Sequence, residues 1–163
     1  MIPISSSSAS SNRPSHEPEK AKLLSHAGSW CADPTQKNEY LQLDFGKTMV
    51  LTGVASQGHH SNEEFVTKYR LFFSVDGFTW IKYVRAFDLE SETIDHHANV
   101  DSTSVAMLKF LNEMKARHVK IMAINWNAGI CLRVSVFGFK GKGNIAMFNT
   151  RYVSQEVTAL KNP

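Results

Sequence analysis

The chain has 163 residues, of which 42% are hydrophobic and 20% charged, and its formal net charge is +3. That length suits one domain burying roughly two thirds of its unfolded surface, and the ordinary apolar content excludes a disordered chain. Lysines and arginines are scattered rather than clustered, which speaks against nucleic acid, and no apolar run reaches the ~20 residues of a membrane helix.

The start, Met1-Ile2-Pro3-Ile4 and then four serines, lacks the basic and apolar parts of a secretory signal. Either the protein is not classically secreted, or a signal has been removed. Residues 5–11 suit a first edge strand or a loose entry segment, and 12–19, with two prolines, a loop. Residues 26–34 read as a second loop that carries Trp30 and Cys31. A tryptophan in a loop is more often a packing anchor than a ligand platform.

Residues 40–80 hold the strongest pattern. Y-L-Q-L-D-F-G, T-M-V-L-T-G-V-A-S-Q-G and F-V-T-K-Y-R-L-F-F-S are three runs of strand length, separated by glycine-containing turns. Leu41, Leu43 and Phe45 alternate with Gln42 and Asp44, as a strand does when one face meets a core. Asp76-Gly77 is the clearest hairpin signal, because Gly supplies the positive φ of a tight turn. The strand after Trp80 is expected to run through Ile81 and Tyr83 to Phe87, and residues 88–103 to form a long polar loop. Residues 108–115 suit strand and turn better than helix, and 117–124 and 131–138 alternate clearly. Many short strands and no useful helix predict an all-β sandwich or barrel. Residues 1–140 form the domain; 141–163 read as a C-terminal extension or linker, with an extra strand possible at 145–153.

Candidate chemistry is sparse. His59-His60 and His96-His97 invite a metal, but adjacent strand residues face opposite ways and neither pair has a spaced partner. Solvated loop histidines are therefore expected, and no metal. The acidic residues Asp88, Glu90, Glu92, Asp95 and Asp101 offer oxygens for calcium but lack EF-hand spacing, so no cofactor is expected, calcium being the alternative. Ser25-His26 lacks a third group, and an enzyme is not expected.

The order of motifs resembles the discoidin domain, also called the coagulation factor V/VIII type C domain. Trp30-Cys31 resembles its Ala-Trp-Cys loop, and residues 40–46 resemble its W-[LI]-Q-V-D-[LF]-G strand with Tyr40 in place of Trp. Thr52-Gly53-Val54 and Gln57-Gly58 match V-T-G-I and Q-G, and residues 74–80 match S-x-D-G-x-x-W. Residues 116–121 resemble A-R-Y-[IV]-R-I, and Trp126 with 129–134 resembles the closing W…G-I-x-L-R-V strand. The resemblance implies a galactose-binding-like jelly-roll β-sandwich of about eight antiparallel strands, with ligand-binding loops projecting from one end. It also implies that Cys31 and Cys131 are neighbours joined by a disulfide; two free thiols would instead suit an intracellular scaffold domain. Asp44 and Arg133 fall in strand motifs and are expected to pair, or to hydrogen-bond loop backbone, in a structural role.

The implied function is extracellular or cell-surface recognition in adhesion or receptor binding, with a cell-surface or matrix protein or a glycan as partner. The candidate contacts are Trp30, Asp33, Gln57, His59, His60, Asn62, Glu63, Asn125 and Trp126. The alternative is a phosphatidylserine-binding membrane module. The polar loops at 12–17 and 59–64 argue against it, because apolar area is what drives insertion.

Overall fold

The computed structural model describes residues 1–84 and 95–141. Asp88, Glu90, Glu92, the expected strand end at Phe87 and the tail strand at 145–153 lie outside the described residues. Eight strands are present among those described: β1 Ser6–Ala9, β2 Trp30–Cys31, β3 Tyr40–Gln57, β4 Phe65–Ser74, β5 Ile81–Lys82, β6 His96–His97, β7 Ala106–Asn127 and β8 Cys131–Phe139.

The architecture is set by β3 and β7, 18 and 22 residues long, which pair antiparallel in two tracts. Residues Tyr40 to Asp44 lie opposite Met122 to His118, and Met49 to Ser56 lie opposite Ala116 to Ala106. Between the tracts the register shifts, and there Gly46 adopts φ 72°, a left-handed conformation that costs a side-chain-bearing residue more. The sequence leads one to expect two strands and a turn here. The chain instead continues as one bent strand, because Asp44 accepts the Gly46 N–H at 2.6 Å and the pairing resumes beyond the bulge.

The bend divides the hydrogen-bonded network into two leaves. One runs β1, first tract of β3, second tract of β7, β4, with β5 and β6 both on β4. The other runs β2, β8, second tract of β3, first tract of β7. This is the expected antiparallel jelly-roll sandwich. Alternation fills its interior: Leu41, Leu43 and Phe45 from β3, Tyr69, Leu71 and Phe73 from β4, Val119 and Ile121 from β7, Val134 and Val136 from β8. Phe73 meets Phe110 and Tyr83 edge-on, with centroids 5.3 and 5.9 Å apart.

The Asp-Gly turn joins β4 to β5 by a loop longer than the tight hairpin expected. Asp76 accepts the N–H groups of Phe78 and Thr79, and Ser74 Oγ accepts that of Gly77, so the side chains cap a wider turn. Phe78 stands 89% exposed on it, at the end of β4 remote from residues 58–64.

Cys31 lies directly opposite Cys131 across β2 and β8, with Cα atoms 4.1 Å apart, and the two form a disulfide. Asp44 and Arg133 do not pair with each other. Asp44 takes a two-pronged bond from Arg117, 2.9 Å at each prong, which holds its pKa down to about 2. Arg133, 2% exposed, donates to the carbonyls of Gly58 at 2.8 Å, Ser25 at 2.8 Å and Ser102 at 3.0 Å.

Two stability predictions follow from these ties. Arg133→Met keeps the volume and removes the donors, so unfolding in urea should become about 3–5 kcal/mol easier, each stranded buried carbonyl costing ~1–3. A loss below about 1 kcal/mol would mean that water replaces the guanidinium. The double substitution of Cys31 and Cys131 by alanine opens a link spanning 100 residues. It should cost about 3–5 kcal/mol, read as a lowered urea midpoint.

Candidate ligand-binding site

Four segments, residues 10–34, 58–64, 98–104 and 128–130, meet at one end of the sandwich, the last held by the Ala32 N–H on the Ile130 carbonyl at 2.9 Å and the others tied by side chains. Arg133 holds three of them through the carbonyls of Ser25, Gly58 and Ser102. Gln57 accepts the Leu24 N–H at 2.9 Å and donates to the Thr103 carbonyl. Asn99 is spent on Ser56 and Ser104. Asn127 Nδ2 donates to the Glu63 carbonyl at 2.7 Å, and Ser102 Oγ to the Glu63 carboxylate at 2.8 Å. Gly58 is packed so closely that an added Cβ would lie 2.5 Å from Phe65 Cβ and 2.7 Å from the Glu64 carbonyl.

This arrangement redistributes the expected contacts. Trp30 is completely buried, with its indole N–H on the Ser11 carbonyl at 2.9 Å. It is a packing anchor that offers no face to a ligand. Gln57, also buried, braces two loops rather than facing outward. Asp33, Asn62, Glu63 and Asn125 are exposed, and Trp126 is half-buried.

The expectation of solvated histidines fails for His59 and His96, which are buried, and holds for His97, which is exposed. His59 is 3% exposed; its Nδ1 accepts the N–H groups of Ser61 at 3.1 Å and Asn62 at 3.0 Å. Its proton therefore sits on Nε2, which is buried and makes no hydrogen bond. The ring stacks on His60 at 4.4 Å and tilts against His16 at 5.1 Å. Burial, reinforced by the neighbouring imidazoles, pushes the His59 pKa down to about 4, so the ring is neutral at pH 7. Beside it Arg13 grips Glu64 at 3.0 and 3.2 Å, holding that carboxyl below its ordinary range. His96 and His97 take opposite faces of β6, His96 4% exposed beside Tyr83 and His97 outward.

Two groups of potential metal donors share Cys31: His16, Cys31 and His59, and Cys31, Glu64 and Cys131, the donor atoms of each within 4.8 Å of one another. In the disulfide form neither sulfur is a thiolate. The acidic residues expected as calcium oxygens are occupied where they are described: Asp95 on Arg70 at 2.6 Å, and Asp101 on the N–H groups of Thr103 and Ser104.

A cleft of about 410 Å³ is walled by Trp126, Phe65, Val100 and Ala98 and carries Thr67, His97 and Asn127 as polar groups. Of these, only Trp126 is among the candidates read from sequence. The others come together because β6 pairs with β4, Lys68 opposite His97, while Phe65 sits opposite Asn127 across β4 and β7. His97 was within reach of sequence reasoning: on a strand beside a buried His96 it must face outward.

The F5/8 type C domain family matches residues 4–136. Among solved structures, discoidin II of Dictyostelium discoideum superposes with a TM-score of 0.73 at 21% identity, over 84% of this chain and 55% of that one. The chain thus spans about half the length of that relative. A family 32 carbohydrate-binding module of Clostridium perfringens, in complex with GalNAc-β-1,3-galactose, gives 0.66 at 22% identity, covering 82% and 94%. A second from C. perfringens, in complex with galactose, gives 0.61 at 16%, covering 80% and 93%. At these identities the superpositions speak to the fold, and the family match to descent. With the family model matched over most of its length, the chain belongs to the F5/8 type C domain family.

Proposed function

We propose that this binding module is an extracellular recognition domain that holds a glycan in the cleft beside Trp126, for adhesion or receptor binding. One observation carries the reading: a half-buried indole walls a cleft whose rim bears an imidazole, an amide and a hydroxyl from His97, Asn127 and Thr67. A sugar ring presents an apolar C–H face to an aromatic wall while its hydroxyls take directional bonds, and this lining offers both. The galactose-containing ligands of the two Clostridium modules support a sugar on this fold. A surface-exposed matrix or cell-surface glycoprotein would present the same chemistry. The disulfide suits an oxidising compartment.

The membrane alternative is weaker on magnitude. Among the described residues of the loop end, the large apolar side chains more than half exposed are Leu24 and Val100, 59% and 86%, with Val105 at 46%. Burying both yields about 3–6 kcal/mol at ~1.5–3 each, less than the single acyl chain that anchors only marginally.

On a glycan array the domain should retain galactose-type glycans, and the best binder should be confirmed by calorimetry. His97→Ala should weaken that binding about 5–20-fold at unchanged melting temperature, for loss of one or two hydrogen bonds. Trp126→Ala should abolish it. An array without signal, or pelleting with anionic vesicles at physiological salt, would remove the glycan reading.

The loop end should also be acid-labile. The folded pKa of His59 lies near 4 against an unfolded value of 6.5, so the unfolded chain takes up the proton first. Stability from this residue is complete above pH 6.5 and falls as pH drops toward 4. Between pH 6.5 and 5 the loss should be about 2 kcal/mol in urea titrations, and should vanish in His59→Asn.

A further inference from the structure

We infer that the reduced form of this protein binds one zinc ion through Cys31, Cys131, His16 and His59, so that a metal replaces the disulfide as the link between the two halves of the chain. The donors converge from four separate places in the sequence. His16 and His59 each bring a donor atom within 4.8 Å of the Cys31 sulfur, and Cys131 lies directly across from it. Zinc with two sulfurs and two nitrogens needs donor separations of roughly 3.3–3.8 Å, so the histidines must close on Cys31 and the Cys131 sulfur must turn toward them once the disulfide opens.

The histidines favour this reading individually. His16 Nδ1 lies 3.1 Å from the Ser29 carbonyl, the bond that places the proton there and leaves Nε2 free to ligate. His59 has its Nε2 buried and unpartnered, an orphan that a metal would satisfy. For that, its proton must move from Nε2 to Nδ1, breaking the bonds from the Ser61 and Asn62 N–H groups. Both residues are exposed, so water takes over those N–H groups. Glu64 also lies within 4.8 Å of both cysteines, but its carboxylate is held by Arg13 and is left out of the set.

The exchange balances. A dithiol reductant gives two electrons and two protons to the S–S bond and leaves as its own disulfide, and Cys31 and Cys131 become thiols. Zinc then binds with release of two protons and no change of oxidation state, while the His59 proton moves within the ring. Either link closes the same span of 100 residues, so the fold would persist in both compartments.

The test uses the full chain, unfolded in urea, reduced with a phosphine and refolded without oxygen. Titrated with cobalt, it should take up one equivalent, give the visible bands of a tetrahedral ion with thiolate-to-cobalt charge transfer, and be bleached by zinc. The oxidised chain should give no such bands. His16→Ala and His59→Ala should each weaken binding at least about tenfold, whereas Glu64→Gln should leave it unchanged. Zinc should raise the melting temperature of the reduced chain, or be required for its refolding, and should do neither for Cys31→Ala/Cys131→Ala. Absence of the tetrahedral spectrum, failure to refold with zinc, or histidine variants that bind as tightly as the parent would overturn the proposal.

Discussion

A single guanidinium, that of Arg133, holds the loop end of this domain in one shape. It is buried, and its donors go to carbonyls of residues 25, 58 and 102, which belong to three separate loops. Irregular backbone near a core is the costly part of a β-sandwich, because its polar groups leave water without finding a ladder. A planar cation with five N–H donors meets several such carbonyls at once, which a lysine does not. Burial lowers the pKa of Arg133 from its ordinary value, yet so high a starting point leaves it charged at pH 7. A positive charge thus faces carbonyl dipoles that no apolar side chain would satisfy.

Around that clamp the other ties are arranged by distance along the chain. The disulfide joins β2 to β8, Gln57 joins residue 24 to residue 103, and Asn127 joins the end of β7 to Glu63. Each spans loops that sequence separates widely. At the opposite end local bonds join a long-range one: Asp76 caps its own turn, and Asp44 bonds Gly46 as well as Arg117. Surface change is therefore easiest to accommodate on side chains outside these ties, such as Asp33, Asn62 and, on the rim of the Trp126 cleft, Thr67 and His97. A scaffold of this kind allows ligand choice to vary while the loop backbone stays fixed.

Legibility in the sequence followed the range of the interaction that fixes each feature. Alternation at Leu41, Leu43 and Phe45, and again in β4 and β8, is a local signal, and it located the core faces. The disulfide and the architecture came from motif order, which carries long-range information that periodicity lacks. Gly46 suits a turn in the sequence, since a glycine with positive φ looks alike in a turn and in a bulge; only the resumed pairing of β3 with β7 tells them apart. Trp30 and Gln57 stand beside the loop end in sequence, while their direction, inward, depends on residues 11, 24 and 103. Asp44 found Arg117 rather than Arg133, a choice set by Asp44 lying opposite His118 on the paired strand.

The cleft was the least legible feature, and the reason is geometric. Its lining comes from residues near 65, 97 and 126, and they meet because the two-residue strand β6 docks on β4. A strand so short has no period to detect, and its histidine pair suggests metal chemistry before it suggests a wall. Yet the pair obeys the most elementary rule of a strand: His96 packs beside the aromatic ring of Tyr83, and His97 must then face the cleft. The residue that faces the cleft is thus fixed by the one that points away from it, and the core and the cleft lie on two faces of one strand.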